Sequence, residues 1–113
     1  MSLVIEQAAF MEDVAKLIMY VHSIQGWQVT GGELWRTPEQ QEVYVKTGRS
    51  RTMKSNHLRR LAIDLNFFKD GRLIWDKRLL SQFGDYWESL NPKNRWGGNF
   101  KSLVDVPHFE RNV

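Results

Sequence analysis

A histidine and an aspartate stand seven positions apart in the stretch SNHLRRLAIDLNFF, which covers residues 55–68. His57 precedes a run of apolar residues, and Asp64 lies inside that run. A buried carboxylate is costly unless another group compensates its charge. The compensating group could be an arginine, a set of backbone donors or a metal ion, and the choice between them largely determines the function.

The chain contains three histidines, and two of them have carboxylates nearby. His108 lies in the C-terminal stretch VDVPHFE, where Glu110 shares its strand face because side chains alternate in direction along a strand. Two imidazoles and one carboxylate, with a fourth position open to water, are a common ligand set of catalytic zinc. His57, Asp64 and His108 are therefore candidate metal ligands. His22 lies on a predicted helix and is interpreted as an ordinary surface or boundary residue.

Asp105 precedes His108 by three residues and is a candidate for proton transfer. Pro107 lacks a backbone donor and biases Val106 toward extended conformations, so we expect the chain to reach the last strand here from a loop. Such a loop can bring Asp105 and His108 into one site. A carboxylate near a zinc-bound water, but not bound to the metal, can serve as general base and then as general acid.

The composition is typical of one globular domain, since 42% of the 113 residues are apolar and 26% are charged. The chain has no cysteine, which excludes thiolate metal sites and leaves His, Asp and Glu as ligands. The N-terminal segment does not have the pattern of a secretory signal, and no stretch is long and uncharged enough to span a bilayer. We therefore expect a protein that is made in the cytoplasm and does not insert into membranes.

Positive charge is concentrated in one segment of the chain. Residues 46–63 include six basic side chains and no acidic one. This segment is either a solvated loop or a surface that attracts a polyanion, for which nucleic acid and a bacterial cell wall are the two candidates. A formal net charge of +3 does not choose between them.

Three helices are predicted to support these residues. Apolar residues at steps of three and four predict the first helix over residues 4–24. Thr37 as the N-cap and Pro38 at the first helical position predict a second helix, which stops at Gly48. Apolar residues at helical spacing predict a third helix over residues 79–90.

A strand over residues 61–68 would turn its large apolar residues to one face and Asp64 to the other, where the small Ala62 leaves room. Asp70 and Gly71 predict a hairpin turn after this strand, and residues 92–99 are predicted to form a loop. Shorter strands are predicted over residues 27–30, 73–75 and 107–111. The fold class is therefore α+β, with one domain over residues 1–113 in which a small antiparallel sheet packs with about three helices.

The stretches SNHLRRLAIDL and WGGNFKSLVDVPHFE together resemble the M15 family of zinc peptidases. That family includes bacterial and phage L-alanyl-D-glutamate endopeptidases and VanY-type D-alanyl-D-alanine carboxypeptidases. Its pattern has Ser-x-His, Ala-x-Asp and Trp-Gly-Gly before Asp-x-Pro-His-Phe-Glu, and the likeness covers about residues 30–113. The resemblance implies the zinc peptidase fold that hedgehog domains and D,D-peptidases share. One departure is Arg60, which stands where the family usually has glycine.

The resemblance implies a role for each matching residue. His57, Asp64 and His108 would bind Zn²⁺, and Asp105 would take a proton from water and return it to the leaving amine. Arg36 would stabilise the oxyanion or anchor a substrate carboxylate, the alternative being a salt bridge to a surface acid. Four further residues are candidates for contact with the substrate: Ser55, Gln41, Arg60 and Trp96.

The predicted function is hydrolysis of the peptidoglycan stem peptide by a zinc-dependent peptidase. The L-alanyl-D-glutamate bond is the first choice and the D-alanyl-D-alanine bond the second. A phage or prophage endolysin that acts on the cell wall after release by a holin would fit, as a monomer without a nucleic-acid partner. Two alternatives from other classes are a non-catalytic, zinc-stabilised phage structural or wall-binding module, and a nucleic-acid binder that uses the basic segment.

Overall fold

Three α-helices and five β-strands make up the fold in the computed structural model, which describes residues 2–113. The helices are α1 (Leu3–Ser23), α2 (Pro38–Lys46) and α3 (Lys77–Leu90). The strands are β1 (Trp27–Gly31), β2 (Ala62–Lys69), β3 (Arg72–Leu73), β4 (Asn94–Trp96) and β5 (His108–Arg111). Two short 3-10 turns occupy Asn56–Arg59 and Gly97–Asn99. The predicted α+β class, with three helices and a small antiparallel sheet, is confirmed.

The sheet is antiparallel and has the strand order β1-β2-β5-β4, with β3 also pairing with β2. Strand β1 pairs with the C-terminal part of β2, whereas β5 pairs with its N-terminal part. The β2–β5 register places Asp64 directly opposite His108. This pairing brings together two candidate ligands that are far apart in the sequence.

The helices begin at residues that cap their free backbone donors. The Thr37 hydroxyl accepts a hydrogen bond from the Gln40 amide at 3.0 Å, and the Asp76 carboxylate accepts one from the Arg78 amide at 2.8 Å. Caps of this kind satisfy N–H groups that have no partner inside the helix. Helix α1 then buries one face, on which residues recur at steps of four and three: Phe10, Val14, Leu17 and Val21.

The core lies between α1, α3 and the apolar face of the sheet. Phe67 of β2 and Phe109 of β5 pack there with rings 5.7 Å apart, and the Phe109 ring meets that of Trp87 edge-on at 5.9 Å. The Trp87 indole also donates to the backbone oxygens of Arg95 and Glu110. Aromatic packing and these two hydrogen bonds therefore hold α3 against the strand that carries the second candidate histidine.

A buried ion pair joins α1 to the C-terminal end of β5. Arg111 of β5 donates to the Asp13 carboxylate, and Asn94 of β4 donates to the same oxygen at 3.1 Å. Asn94 in turn accepts from Arg111 at 3.1 Å. All three side chains are buried. Removal of Asp13 or Arg111 would therefore leave the charge of the other in the interior without compensation.

Strand β4 corrects the prediction of a loop over residues 92–99. Asn94 and Trp96 are buried against α3, and β4 pairs with β5 along its whole length. Strand β3 is shorter than predicted, since it ends at Leu73 and Trp75 is exposed. No helix within residues 2–113 is long and apolar enough to cross a bilayer.

Candidate active site

His57 lies in the 3-10 turn before β2, and its imidazole is almost completely buried. The Ser55 hydroxyl caps this turn by accepting from the His57 amide at 3.2 Å. The His57 Nδ1 atom is 3.0 Å from the carbonyl oxygen of Leu34, a contact that requires a proton on Nδ1. Nε2 is therefore the nitrogen with a free lone pair, and it lies 3.4 Å from Asp64 Oδ1.

His108 faces the same carboxylate oxygen from the neighbouring strand. Its Nδ1 atom is 3.6 Å from Asp64 Oδ1, and its Nε2 atom is 2.6 Å from Glu110 Oε1. A proton on Nε2 makes that short contact a hydrogen bond and leaves Nδ1 free to act as a ligand. The two histidines thus present different nitrogens to one point.

The three candidate ligands fit a metal ion. One ligand atom from each of His57, Asp64 and His108 lies within 4.8 Å of the other two. Asp64 Oδ1 is buried and has no hydrogen-bond partner within residues 2–113. Zinc bonds of 2.0–2.1 Å in a tetrahedral site would separate neighbouring ligand atoms by roughly 3.3 Å, which is close to the contacts of 3.4 and 3.6 Å.

The charges of these groups also favour a cation at this point. Burial opposes ionisation of Asp64, but the two imidazoles outweigh it and lower its pKa to about 2. Burial likewise opposes protonation of His108, but Asp64 and Glu110 outweigh it and raise its pKa to about 9. In the metal-free protein a proton on His108 therefore supplies the positive charge that a metal ion would otherwise bring.

Asp105 lies beside the candidate ligands at the edge of the site. Its Oδ2 atom is 3.9 Å from His108 Nδ1, and its side chain is half exposed. A turn brings it there, since the His108 amide donates to the Asp105 carbonyl at 3.1 Å. A Cβ atom at Gly97 would lie 2.2 Å from that carbonyl oxygen, so only glycine permits this approach. Burial raises the pKa of Asp105, and a carboxyl group with a raised pKa is suited to accepting and releasing a proton.

Arg36 precedes α2 in the chain and contacts four other side chains. Its Nε forms an ion pair with Glu33, and its Nη1 donates to Gln41 at 2.7 Å and to Ser55 at 3.4 Å. The guanidinium also lies 4.5 Å from the centre of the Tyr44 ring. These contacts fix the orientation of a cation that lines the same cavity as the candidate ligands.

The cavity has a volume of about 470 Å³. Six of the residues predicted from the sequence line it: Arg36, Ser55, His57, Asp64, Asp105 and His108. The other three, Gln41, Arg60 and Trp96, are not part of its wall.

These three residues have other contacts in the structure. Gln41 is fully buried behind Arg36, and the buried Trp96 indole donates to the Val106 carbonyl at 2.8 Å. The Arg60 guanidinium lies 4.8 Å from the centre of the Trp35 ring. Arg60 has a left-handed backbone with φ of 56°, a conformation that glycine adopts most easily.

The sequence interpretation gave no role to several residues that support the site. Glu110 accepts from Arg95 as well as from His108, and although burial opposes ionisation, these hydrogen bonds lower the pKa of Glu110. The alternation of side chains in a strand already put Glu110 on the face of His108. Glu33 and Tyr44, by contrast, reach Arg36 across an irregular segment, and no periodic pattern in the sequence indicates such contacts.

Three of the matches to known proteins bear on the family and fold of this chain. A model of M15 peptidases, described as D-alanyl-D-alanine carboxypeptidase, matches residues 48–111. An L-alanyl-D-glutamate peptidase of Listeria phage A118 is 36% identical over an alignment of 92 residues, and the match covers 77% of this chain and 31% of that protein. The chain thus spans about a third of the length of this relative.

The third match is a solved structure. The crystal structure of the Serratia marcescens L-Ala D-Glu endopeptidase ChiX superposes with a TM-score of 0.77 at 23% identity. The match covers 93% of this chain and 79% of that one. At this level of identity, the likeness concerns the fold.

Proposed function

Because the chain belongs to the M15 peptidase family described as D-alanyl-D-alanine carboxypeptidase, we propose that it is a zinc-dependent peptidase that cuts the stem peptide of peptidoglycan. The observation that carries this proposal is the convergence of His57, Asp64 and His108 on one point beside Asp105. The L-alanyl-D-glutamate bond is the favoured target, since the phage relative and the ChiX structure both carry that activity in their names. Hydrolysis of D-alanyl-D-alanine is the second candidate, favoured by the description of the family model.

The ion would be held by His57 Nε2, Asp64 Oδ1 and His108 Nδ1. When bound, zinc supplies Lewis-acid polarisation of the scissile carbonyl and lowers the pKa of water toward ~7. Asp105 accepts a proton from the attacking water on its carboxylate and then returns it to the leaving nitrogen. Its place on the cavity wall, outside the three-ligand set, leaves it free for both transfers.

Arg36 donates a hydrogen bond to the oxygen on which negative charge develops. Donors that are oriented before the reaction stabilise such charge well, because they need no reorganisation during the step. The contacts to Glu33, Gln41 and Ser55 provide this orientation. Gln41 and Ser55 therefore act chiefly by positioning Arg36.

We place this activity at the bacterial cell wall, where the stem peptide is found. The protein would act as an endolysin, a monomer that reaches the wall after release by a holin. The phage source of the L-alanyl-D-glutamate peptidase relative supports the endolysin role. The proposal also predicts that binding of nucleic acid is not part of the function.

The test is digestion of purified peptidoglycan with mass spectrometry of the products. The wild-type protein should release stem peptides cut at the L-alanyl-D-glutamate bond, and a chelator should abolish the release. Asp105→Asn should keep the zinc and lose hydrolysis by a factor of roughly 10²–10⁴. Asp85→Asn, an exposed aspartate on α3, is the matched control and should behave as wild type.

Three outcomes separate the alternatives. Release of free D-alanine, with the L-alanyl-D-glutamate bond intact, would identify the carboxypeptidase instead. Bound zinc without any hydrolysis would indicate a non-catalytic wall-binding module. Salt-dependent retention on DNA that a chelator does not affect would indicate a nucleic-acid binder.

A further inference from the structure

Three basic side chains of one loop face the cavity without an acidic partner. They are Arg49, Arg51 and Lys54, and all three line the cavity wall. None of them forms an ion pair within residues 2–113, whereas the two other cavity arginines are paired, Arg36 with Glu33 and Arg95 with Glu110. The cavity therefore has one wall whose positive charge is not neutralised by the protein.

Hydrogen bonds of Gln41 join this loop to Arg36. The amide nitrogen of the buried Gln41 donates to Ser50 Oγ at 2.8 Å and to the Thr52 carbonyl at 2.6 Å. The amide oxygen of the same side chain accepts from Arg36 at 2.7 Å. The buried Gln41 thus fixes the position of the basic loop relative to Arg36.

Tyr44 contacts both Arg36 and one cation of the loop. The guanidinium groups of Arg49 and Arg36 lie 5.0 Å and 4.5 Å from the centre of its ring. The backbone amides of Arg49 and Ser50 both donate to the Tyr44 carbonyl, which fixes the start of the loop. Arg49 and Arg36 therefore contact the same aromatic ring, and Arg51 and Lys54 line the same cavity.

The proposed substrate carries an anion next to the scissile bond. In the stem peptide, D-glutamate is linked onward through its γ-carboxyl group, so its α-carboxyl group stays free unless the cell amidates it. That carboxyl group is attached to the same carbon as the nitrogen of the scissile L-alanyl-D-glutamate bond. A guanidinium binds a carboxylate through paired, charge-assisted hydrogen bonds, and it loses the charge attraction when the group is an amide.

We propose that the loop of residues 48–55 is a carboxylate-recognition wall, with Arg49 as its main contact. It makes the enzyme select stem peptides whose D-glutamate α-carboxylate is free over those that carry D-isoglutamine. This inference rests on the proposed function, because it assigns the substrate group that the same cavity reads. Arg51 and Lys54 add to the attraction but do not replace Arg49.

The experiment compares two synthetic peptides that differ only in this group, L-Ala-γ-D-Glu-L-Lys and L-Ala-γ-D-isoGln-L-Lys, each with a blocked N-terminus. The ratio of the two kcat/KM values is the readout. Because both peptides meet the same enzyme preparation, partial misfolding or incomplete metal loading cancels in the ratio. Wild type should prefer the free carboxylate by about tenfold, the size expected for one charge-assisted contact near solvent.

Arg49→Gln should bring the ratio close to one, mainly by slowing cleavage of the free carboxylate peptide. Arg72 is an exposed residue of β3 that does not line the cavity, so Arg72→Gln should keep the wild-type ratio. Raising the salt concentration should lower the wild-type preference and leave that of Arg49→Gln unchanged.

A wild-type ratio near one, or a preference that survives Arg49→Gln, would overturn the inference and leave the proposed peptidase intact. If the zinc-loaded protein cleaves neither the two peptides nor purified wall, the proposed function is wrong and the inference falls with it. If loop variants lose activity only on walls that carry teichoic acid and act normally on both peptides, the loop binds wall phosphate and the carboxylate assignment is wrong.

Discussion

Glu110→Gln tests whether the carboxylate behind His108 positions that ligand. Glu110 Oε1 lies 2.6 Å from His108 Nε2, and its other oxygen accepts from Arg95. In the variant, the amide must present its oxygen to His108, so its NH₂ group is turned toward the Arg95 guanidinium, which has only donors. The change therefore weakens one contact and makes the other unfavourable.

The expected loss of zinc affinity in Glu110→Gln follows from the strengths of charged and neutral hydrogen bonds. A bond to a charged group contributes ~1.5–3 kcal/mol and one between neutral groups ~0.5–1.5 kcal/mol, so the loss is about 1–1.5 kcal/mol. With 1.4 kcal/mol for each factor of ten, zinc should bind about tenfold more weakly. Loss of the contact to Arg95 adds to this, toward the upper part of the ~10- to 100-fold range known for partners of metal ligands.

The assay is competition for zinc against a chromophoric chelator at constant pH. Arg95→Gln should have a smaller effect, because it leaves the Glu110–His108 contact in place. Glu12→Gln, an exposed glutamate on α1, should bind zinc as wild type does. Thermal unfolding of the metal-free variants separates a loss of ligand positioning from a loss of fold. Unchanged zinc affinity in Glu110→Gln would refute the reasoning.

Three further predictions concern stability. Asp13→Ala leaves the buried Arg111 without its partner and should lower the free energy of unfolding by about 3–5 kcal/mol in urea titrations, whereas a loss under ~1 kcal/mol would show that the pair contributes little. Gly84→Ala puts a Cβ atom 2.2 Å from the Trp96 ring and should cost about 1–3 kcal/mol in the same assay; a neutral result would mean that the ring can shift. In the metal-free protein, His108 has a pKa raised from 6.5 to about 9, so its contribution to stability is complete below pH 6.5 and is lost as the pH rises through 9. Unfolding in the presence of a chelator across this range measures that loss, and a flat profile would contradict it.

Local patterns in the sequence were sufficient for most of the elements. Helix α2 could be predicted from Thr37 and Pro38 because a cap and the first helical turn involve only neighbouring residues. Alternation along β2 likewise placed Asp64 on the polar face, since side-chain direction in a strand depends on position alone. The short β4 escaped prediction because it exists only through its pairing with β5 and its packing on α3.

The candidate ligands were also visible in the sequence, because zinc chemistry restricts the residue types and the chain has few of them. What the sequence could not determine is how these residues meet. The register that sets Asp64 opposite His108, the nitrogen that each histidine presents and the contacts that hold Arg36 all depend on neighbours from distant parts of the chain. Gln41 shows the same limit, since its residue type suits substrate binding but its buried place behind Arg36 makes it a support. Residue identity and local spacing thus determined which chemistry is available, whereas tertiary packing decided which atoms face one another, because those distances arise only when separate elements pack together.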